Sequence, residues 1–308
     1  MNWKIAGAPG AWGVEDAHHP HNPPYEKVLD DAALAGYKGI ELGPYGYLPQ
    51  EINALQEALE KRKLTIVAGT LYDDLVSEIN VEKVMEKNRI TCKLLSQLPK
   101  AEQVAGQRYK TPYLVVIDAV NKRRDTVAGH PEEAERLNDV HWNQLVEHIK
   151  GISVVAKEYG VRVVIHPHAG GYIEFADEID RMMKDISADE AGLCLDTGHL
   201  YYSNMQPDAW LKKYAHRLDY VHFKDINQEV YTQVLKSHTG FFKGCEQGVM
   251  CPIGSGIVDY EKVREALIAI EYRGWITIEQ ERDPLLADGS LEDAKKSIAY
   301  LNARGYGL

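Results

Sequence analysis

Residues 191–199, Ala191-Gly-Leu-Cys-Leu-Asp196-Thr-Gly-His199, and residues 219–225, Asp219-Tyr-Val-His222-Phe-Lys224-Asp225, repeat one pattern. In each, a short apolar run stops abruptly at residues able to hold a metal or move a proton. Leu193-Cys194-Leu195 ends at Asp196, and Tyr220-Val221 ends at His222. Apolar runs this short, bounded by polar residues, read as strands of a parallel sheet buried on both faces. An acid, an imidazole and an amine at the carboxyl ends of such strands are what an α/β enzyme places in its site.

The same unit recurs on either side. Strands are expected at 3–8, 38–42, 64–68, 113–118 and 161–165 before the opening pair, and at 275–278 after it. Helices are expected at 25–36, 50–62, 80–97, 132–158, 174–186, from 207, at 260–271 and at 291–303. Pro23-Pro24 opens the first helix and Gly36 stops it; Asp259 is placed to cap the helix at 260. This makes eight strand–helix units with no composition break, and no glycine fingerprint follows the first strand as a doubly wound sheet would require. The fold class is therefore α/β, a single (β/α)8 TIM barrel over 1–308. The connection 226–256, rich in glycine and aromatics, is long for a barrel and reads as a lid or substrate wall. Its Gly254-Ser-Gly256 lacks the preceding strand of a nucleotide loop.

Composition narrows the function. With 46 acidic against 35 basic side chains the net charge is −11, which gives no general attraction for nucleic acid or anionic membranes. No apolar run approaches the roughly 20 residues of a membrane span, and the start of the chain lacks the apolar core of a signal peptide. A cytoplasmic protein is expected. The four cysteines, Cys92, Cys194, Cys245 and Cys251, are too scattered for a disulfide framework; Cys245 and Cys251 share a loop, where a pair or a zinc site is the less economical reading. His18, His19 and His21 form a histidine-rich loop, which loops acquire without binding metal. Lys122-Arg123-Arg124 reads as a solvated basic run, or as a phosphate contact if it lies over the site.

The chemistry lies at the late strand ends. His166, Asp196, His222 and Glu279 each follow an apolar run, and a barrel brings such positions to one rim. Two imidazoles and two carboxylates suit Mn²⁺, Co²⁺, Fe²⁺ or Zn²⁺ ahead of Ca²⁺. Around them stand His168, His199, Lys224, Asp225, Glu281 and Glu41. Glu41 is an acid inside an apolar strand, which costs free energy unless it is paired, hydrogen-bonded or liganded. Lys224 follows His222 by two residues and so points the same way. No Gly-x-Ser-x-Gly elbow is present, so nothing argues for a serine nucleophile.

At these residues the sequence resembles the sugar isomerase/epimerase superfamily of xylose isomerase-like barrels, and within it the inosose dehydratases. The resemblance rests on Gly39-Ile-Glu41-Leu-Gly-Pro-Tyr-Gly-Tyr-Leu-Pro49, His166-Pro-His168-Ala-Gly, Leu195-Asp196-Thr-Gly-His199-Leu, Val221-His222-Phe-Lys224-Asp225 and Gly274-Trp-Ile-Thr-Ile-Glu279-Gln-Glu-Arg-Asp283-Pro. It implies metal ligands at Asp196, His222 and Glu279. The family's usual fourth ligand is a glutamate where this chain has His166, so His166, His168 or a water is left for that place. It also implies Mn²⁺ or Co²⁺ as cofactor, with Zn²⁺, Fe²⁺ or Mg²⁺ as other candidates. The implied reaction, part of inositol catabolism, is dehydration of a small keto-polyol such as 2-keto-myo-inositol, with His168, His199, Lys224 and Glu41 in the chemistry. Isomerisation or epimerisation of a ketose is the alternative, needing the same metal and α-proton removal but no leaving group. A DNA-repair nuclease on this barrel would need a basic face that the chain lacks, and a non-catalytic sugar-binding barrel would show no turnover. A homo-oligomeric state stays open.

Overall fold

Alternation along each strand sorts the side chains between two cores. The structure is a computed structural model and describes residues 3–307. The strands are β1 (Trp3–Gly7), β2 (Gly39–Glu41), β3 (Thr65–Asp73), β4 (Tyr113–Asp118), β5 (Arg162–Ile165), β6 (Gly192–Asp196), β7 (Leu218–Phe223), β8 (Asp225–Ile226), β9 (Met250–Cys251) and β10 (Gly274–Ile278). Eight of them close a parallel barrel in the order β1-β10-β7-β6-β5-β4-β3-β2, while β8 and β9 form a separate antiparallel ribbon. Closure is made by β10 on β1, from Trp3 opposite Gly274 to Gly7 opposite Ile278. The helices are α1 (Tyr25–Ala35), α2 (Ile52–Glu60), α3 (Val81–Gln97), α4 (Asp139–Glu158), α5 (Ala176–Asp185), α6 (Thr197–Tyr202), α7 (Pro207–Lys213), α8 (Gln228–Lys236), α9 (Phe241–Glu246), α10 (Tyr260–Ala269) and α11 (Ser290–Ala303). Among the described residues no helix is long and apolar enough to cross a membrane.

Ala6, Ala68, Val115, Val164, Cys194, Tyr220 and Trp275 belong to the cluster filling the barrel. Their strand neighbours Leu114, Val116, Ile165, Leu193, Leu195, Val221 and Ile276 belong to the larger cluster that includes the helices. This division fixes the site, because residues two along from an inward one also face inward: Cys194 leads to Asp196, Tyr220 to His222, and Val164 to His166. The interior is tight at the amino end. A Cβ added at Gly39 would stand 2.6 Å from Val67 Cγ1 and 2.8 Å from Trp275 Cζ3. Gly39→Ala should therefore cost about 1–3 kcal/mol from overpacking, read as a lower urea midpoint; an unchanged midpoint would mean the interior yields freely.

Helix ends follow local chemistry. Gly36 ends α1 in the left-handed region at φ 101°, and Asn138 and Asp259 cap α4 and α10 with their side chains. Two boundaries differ from expectation. β3 runs on to Asp73 because Tyr72 and Asp73 pair with Ile117 and Asp118 of the long β4, so Gly69-Thr70 is strand and not turn. The helix expected from 132 begins at Asp139. The preceding segment is held instead by side chains, with Arg124 Nη1 donating to the Glu135 carbonyl and Arg136 pairing with Asp177. Arg124 is not the solvated cation its neighbours suggested. It is fully buried and paired with Glu178 at 2.7 Å and Glu174 at 3.4 Å, so it offers nothing to a phosphate.

The connection 226–256 is not a bare loop. It holds β8, α8, α9 and β9 over an apolar cluster of its own, with Tyr202, Ile226, Val234, Phe241, Val249 and Met250. Asp225 organises its exit: Oδ2 accepts from the Gly254 and Gly256 amides, and Oδ1 from Ile226 and Val258. The glycines of Gly254-Ser-Gly256 thus wrap an internal carboxylate, and a Cβ at Gly256 would meet Asp225 Oδ1 at 2.3 Å. Cys245 and Cys251 are both buried free thiols.

Candidate active site

The carboxyl end of the barrel opens into a cavity of about 670 Å³, lined by Glu41, His166, His168, His222, Lys224 and Glu279 among others. Asp196 ends β6 and begins α6, and its two oxygens divide accordingly. Oδ1 caps the helix, accepting from the Gly198 amide at 2.8 Å and the His199 amide at 2.9 Å, while Oδ2 faces the site and receives Lys224 Nζ at 2.8 Å. His166 Nε2 lies 3.7 Å from Asp196 Oδ2. His222 Nδ1 lies 3.1 Å from Glu279 Oε2 and 3.9 Å from Asp196 Oδ2. One donor atom each from His166, Asp196, His222 and Glu279 lies within 4.8 Å of all the others. The four positions read as ligands from the sequence are therefore brought together. His166 Nδ1 and both ring nitrogens of His222 are buried without a hydrogen-bond partner, a condition that ordinarily costs about 1–3 kcal/mol per group. By number, type and convergence these donors fit a divalent first-row cation.

Glu41 stands behind His222, 1% exposed, with Oε1 2.9 Å from His222 Nε2 and accepting the Tyr220 hydroxyl at 2.7 Å. A carboxylate at the far nitrogen of a ligand imidazole sets which nitrogen faces the metal. Glu41 thus faces His222 Nε2 from behind, on the side away from Glu279.

Lys224 is 1% exposed and pairs with Asp196, Glu279 and, at 3.1 Å, Glu281. Of the other acids that the sequence places around the site, Glu281 is engaged by Lys224, while Glu41 faces His222. Asp225 turns away into its glycine turn. Burial disfavours the charged ammonium, but the Asp196 and Glu279 carboxylates outweigh it and hold Lys224 well above its ordinary range. Burial likewise pushes the Asp196 carboxyl up, and Lys224 more than reverses it, holding it well below the usual carboxylate range.

A second group, His168, His199 and Glu281, lies beside the first, its donor atoms also within 4.8 Å of one another. The two imidazole rings are 4.1 Å apart and share one peptide neighbour, Ala169. His168 Nδ1 is 2.9 Å from the Ala169 carbonyl, which can only accept, so Nδ1 carries the proton and Nε2 keeps its lone pair. His199 Nδ1 accepts from the Ala169 amide at 3.1 Å, so its proton sits on Nε2, 3.5 Å from Glu281 Oε1. Burial, reinforced by His199 and His166, holds His168 well below its ordinary value; burial and Lys224 do the same for His199. The site thus offers one neutral imidazole as acceptor and its neighbour as donor.

The comparisons with known proteins follow this geometry. The model of the xylose isomerase-like TIM barrel family matches residues 29–304. The chain belongs to that family. It is 30% identical over 285 residues to an inosose dehydratase of Clostridium botulinum (strain Alaska E43 / Type E3), covering 91% of this chain and 89% of that one. Among solved structures it is similar to the IOLI protein with a bound zinc atom, at TM-score 0.72 and 16% identity over 99% and 100% of the two chains. It is also similar to D-allulose 3-epimerase from Methylomonas sp., at TM-score 0.68 and 19% identity over 98% and 97%. These structural likenesses establish the barrel, and the dehydratase relative establishes an enzyme of this family.

Glu281, placed around the site from the sequence, touches both Lys224 and His199. Two features of this family member escaped sequence reasoning. Glu15 lines the cavity from a turn after β1, where no period applies. Phe241 places its ring 5.1 Å from His199 and 4.9 Å from His168, and Phe242 lines the cavity. The Gly240-Phe-Phe sequence inside a long aromatic connection was the signal for that wall. Asp125 Oδ1 holds it in place by accepting the Phe241 amide at 2.8 Å. His19 and His21 lie outside the cavity lining, while His18 reaches its edge.

Proposed function

We propose that the chain is a metal-dependent hydro-lyase that removes water from a cyclic keto-polyol, 2-keto-myo-inositol, in inositol catabolism. The observation that carries this reading is the pairing of neutral imidazoles with opposite proton states, His168 as acceptor and His199 as donor, beside a convergent cation-binding set. A dehydration needs both: a base for the proton next to the ketone and an acid for the departing hydroxyl. The dehydratase relative supports the same choice.

His166, Asp196, His222 and Glu279 would hold the cation, Mn²⁺ or Co²⁺ first. When bound, it supplies Lewis-acid polarisation of the ketone oxygen. His168 Nε2 takes the proton from the carbon next to the ketone, and the electron pair moves onto the carbonyl oxygen. The Lys224 ammonium lies where it can stabilise that developing charge. The pair then returns to form the carbon–carbon double bond and expels the β-hydroxyl, which leaves as water with the proton from His199 Nε2. Glu281 faces both His199 and Lys224 and holds them toward the cavity. Phe241 and Phe242 cover the histidines and limit water.

Incubation with 2-keto-myo-inositol and Mn²⁺ or Co²⁺, followed by mass spectrometry, tests the reading. The expected product is lighter by one water. A product of unchanged mass in H2O that gains deuterium when the incubation is run in D2O would instead assign a keto-polyol isomerase or epimerase, and a substrate unaltered in both solvents would remove both.

Glu41→Gln tests the orienting role. Loss of the carboxylate behind a ligand histidine commonly weakens metal binding about 10–100-fold. The metal dissociation constant should rise by that factor, with turnover restored at saturating metal. Lost turnover at full metal occupancy would return Glu41 to a direct chemical role.

A further inference from the structure

We propose that His130, Glu133 and His238 form a second, peripheral site for Zn²⁺ or another late first-row divalent cation, clamping the segment after β4 to the root of the covering helix α9. One donor atom from each lies within 4.8 Å of the others, and the group lies outside the cavity lining. His238 Nε2 is 3.1 Å from Glu133 Oε2, and His130 Nδ1 is 3.7 Å from Glu133 Oε1. Ligand atoms around a tetrahedral zinc ion stand about 3.4 Å apart, which both contacts to Glu133 match to within about 0.3 Å.

The protons argue for a cation more strongly than the distances. His130 Nε2 lies 3.2 Å from the Leu235 carbonyl, and a carbonyl only accepts, so Nε2 bears the proton. In the neutral ring Nδ1 is then a bare lone pair, and it faces a carboxylate. A positive charge between them, a metal ion or a proton on Nδ1, removes the conflict. A backbone carbonyl on the far nitrogen is also the usual support of a ligand imidazole. The same carbonyl accepts the His238 amide at 3.1 Å, so one atom at the end of α8 ties both histidines. Glu133 is brought round by a turn in which its amide donates to the His130 carbonyl at 3.1 Å.

The His238 backbone adds a second sign. It takes the left-handed conformation at φ 49°, where a helix usually places glycine. That conformation brings the imidazole against the His130 ring, parallel at 4.5 Å with 6° between planes, so one ring must turn for both lone pairs to meet a single ion. The side chains are 20%, 54% and 45% exposed for His130, Glu133 and His238, leaving room for a water as fourth ligand. Two residues beyond His238, Gly240 leads into α9, which carries Phe241 onto the active-site histidines. A bound ion would therefore hold the cover closed from outside.

The test is zinc stoichiometry on the intact chain. After chelator treatment and titration with Zn²⁺ alone, His130→Ala/His238→Ala should bind one equivalent fewer than the wild type, and Glu133→Gln should bind that equivalent at least tenfold more weakly. Asp196→Asn should lose the other equivalent, so the rim site and the peripheral site fail independently. Zn²⁺ should slow proteolysis within 226–256 in the wild type and not in the double variant. Equal stoichiometry and equal proteolysis in wild type and double variant would reduce the group to a surface ion pair and overturn the site.

Discussion

Lys224→Met is expected to lower turnover by about 10²–10³-fold, roughly 3–4 kcal/mol, the usual effect of removing a group that stabilises developing negative charge. Metal should still bind, because the ammonium shares Asp196 and Glu279 with the proposed cation and contributes no lone pair. Stability offers an independent readout. Without metal and without the ammonium, the carboxylates of Asp196, Glu279 and Glu281 face one another in a largely buried site. The metal-free variant should melt below the metal-free wild type. Adding Mn²⁺ should then raise its Tm by more than it raises the wild type's, since binding to the native state stabilises by mass action and here also cancels repulsion. Near wild-type turnover with metal bound would mean that Lys224 only balances charge.

Asp196 is expected to separate into two functions under substitution. Asp196→Asn keeps an oxygen able to accept from the Gly198 and His199 amides, so the α6 cap should survive. It removes the charge that faces the site, so turnover should fall about 10³-fold, as expected when several kcal/mol of Lewis-acid stabilisation are lost. Metal content after gel filtration should fall with it. Asp196→Ala removes the cap as well and should lose a further 0.5–2 kcal/mol, typically about 1, of stability, read as a lower urea midpoint than that of Asp196→Asn. An asparagine variant with full metal and full rate would end the assignment of Asp196 as a ligand. Equal midpoints in the two variants would show that the cap contributes nothing.

Asp196, His222 and His166 could be identified from the sequence because two local rules suffice for them. A short apolar run marks a doubly buried strand, and period 2 then tells which residues share its inward face. Closure of eight such strands brings their ends to one rim, so the convergence of His166, Asp196, His222 and Glu279 followed from topology alone. The Asp259 cap was legible for the same reason, since it bonds amides within three residues of itself, while the Asn138 cap was missed because the polar segment before it read as helix. Asp225 and Arg124 were not legible either. Arg124 sits in a polar run that reads as solvated and Asp225 at a strand end that reads as site, and each is buried by partners about 30–55 positions away. A charge goes where its desolvation is offset, and that place is defined only once the chain has folded. The tertiary structure likewise put Glu41 behind His222, across 181 residues of sequence, by closing β2 and β7 into one barrel. It also chose the proton states of His168 and His199, because Ala169 presents its carbonyl to one ring and its amide to the other. Residue types and strand periodicity sufficed to say that acids and imidazoles would meet; which nitrogen holds a proton depends on single backbone groups whose positions only the packed fold sets.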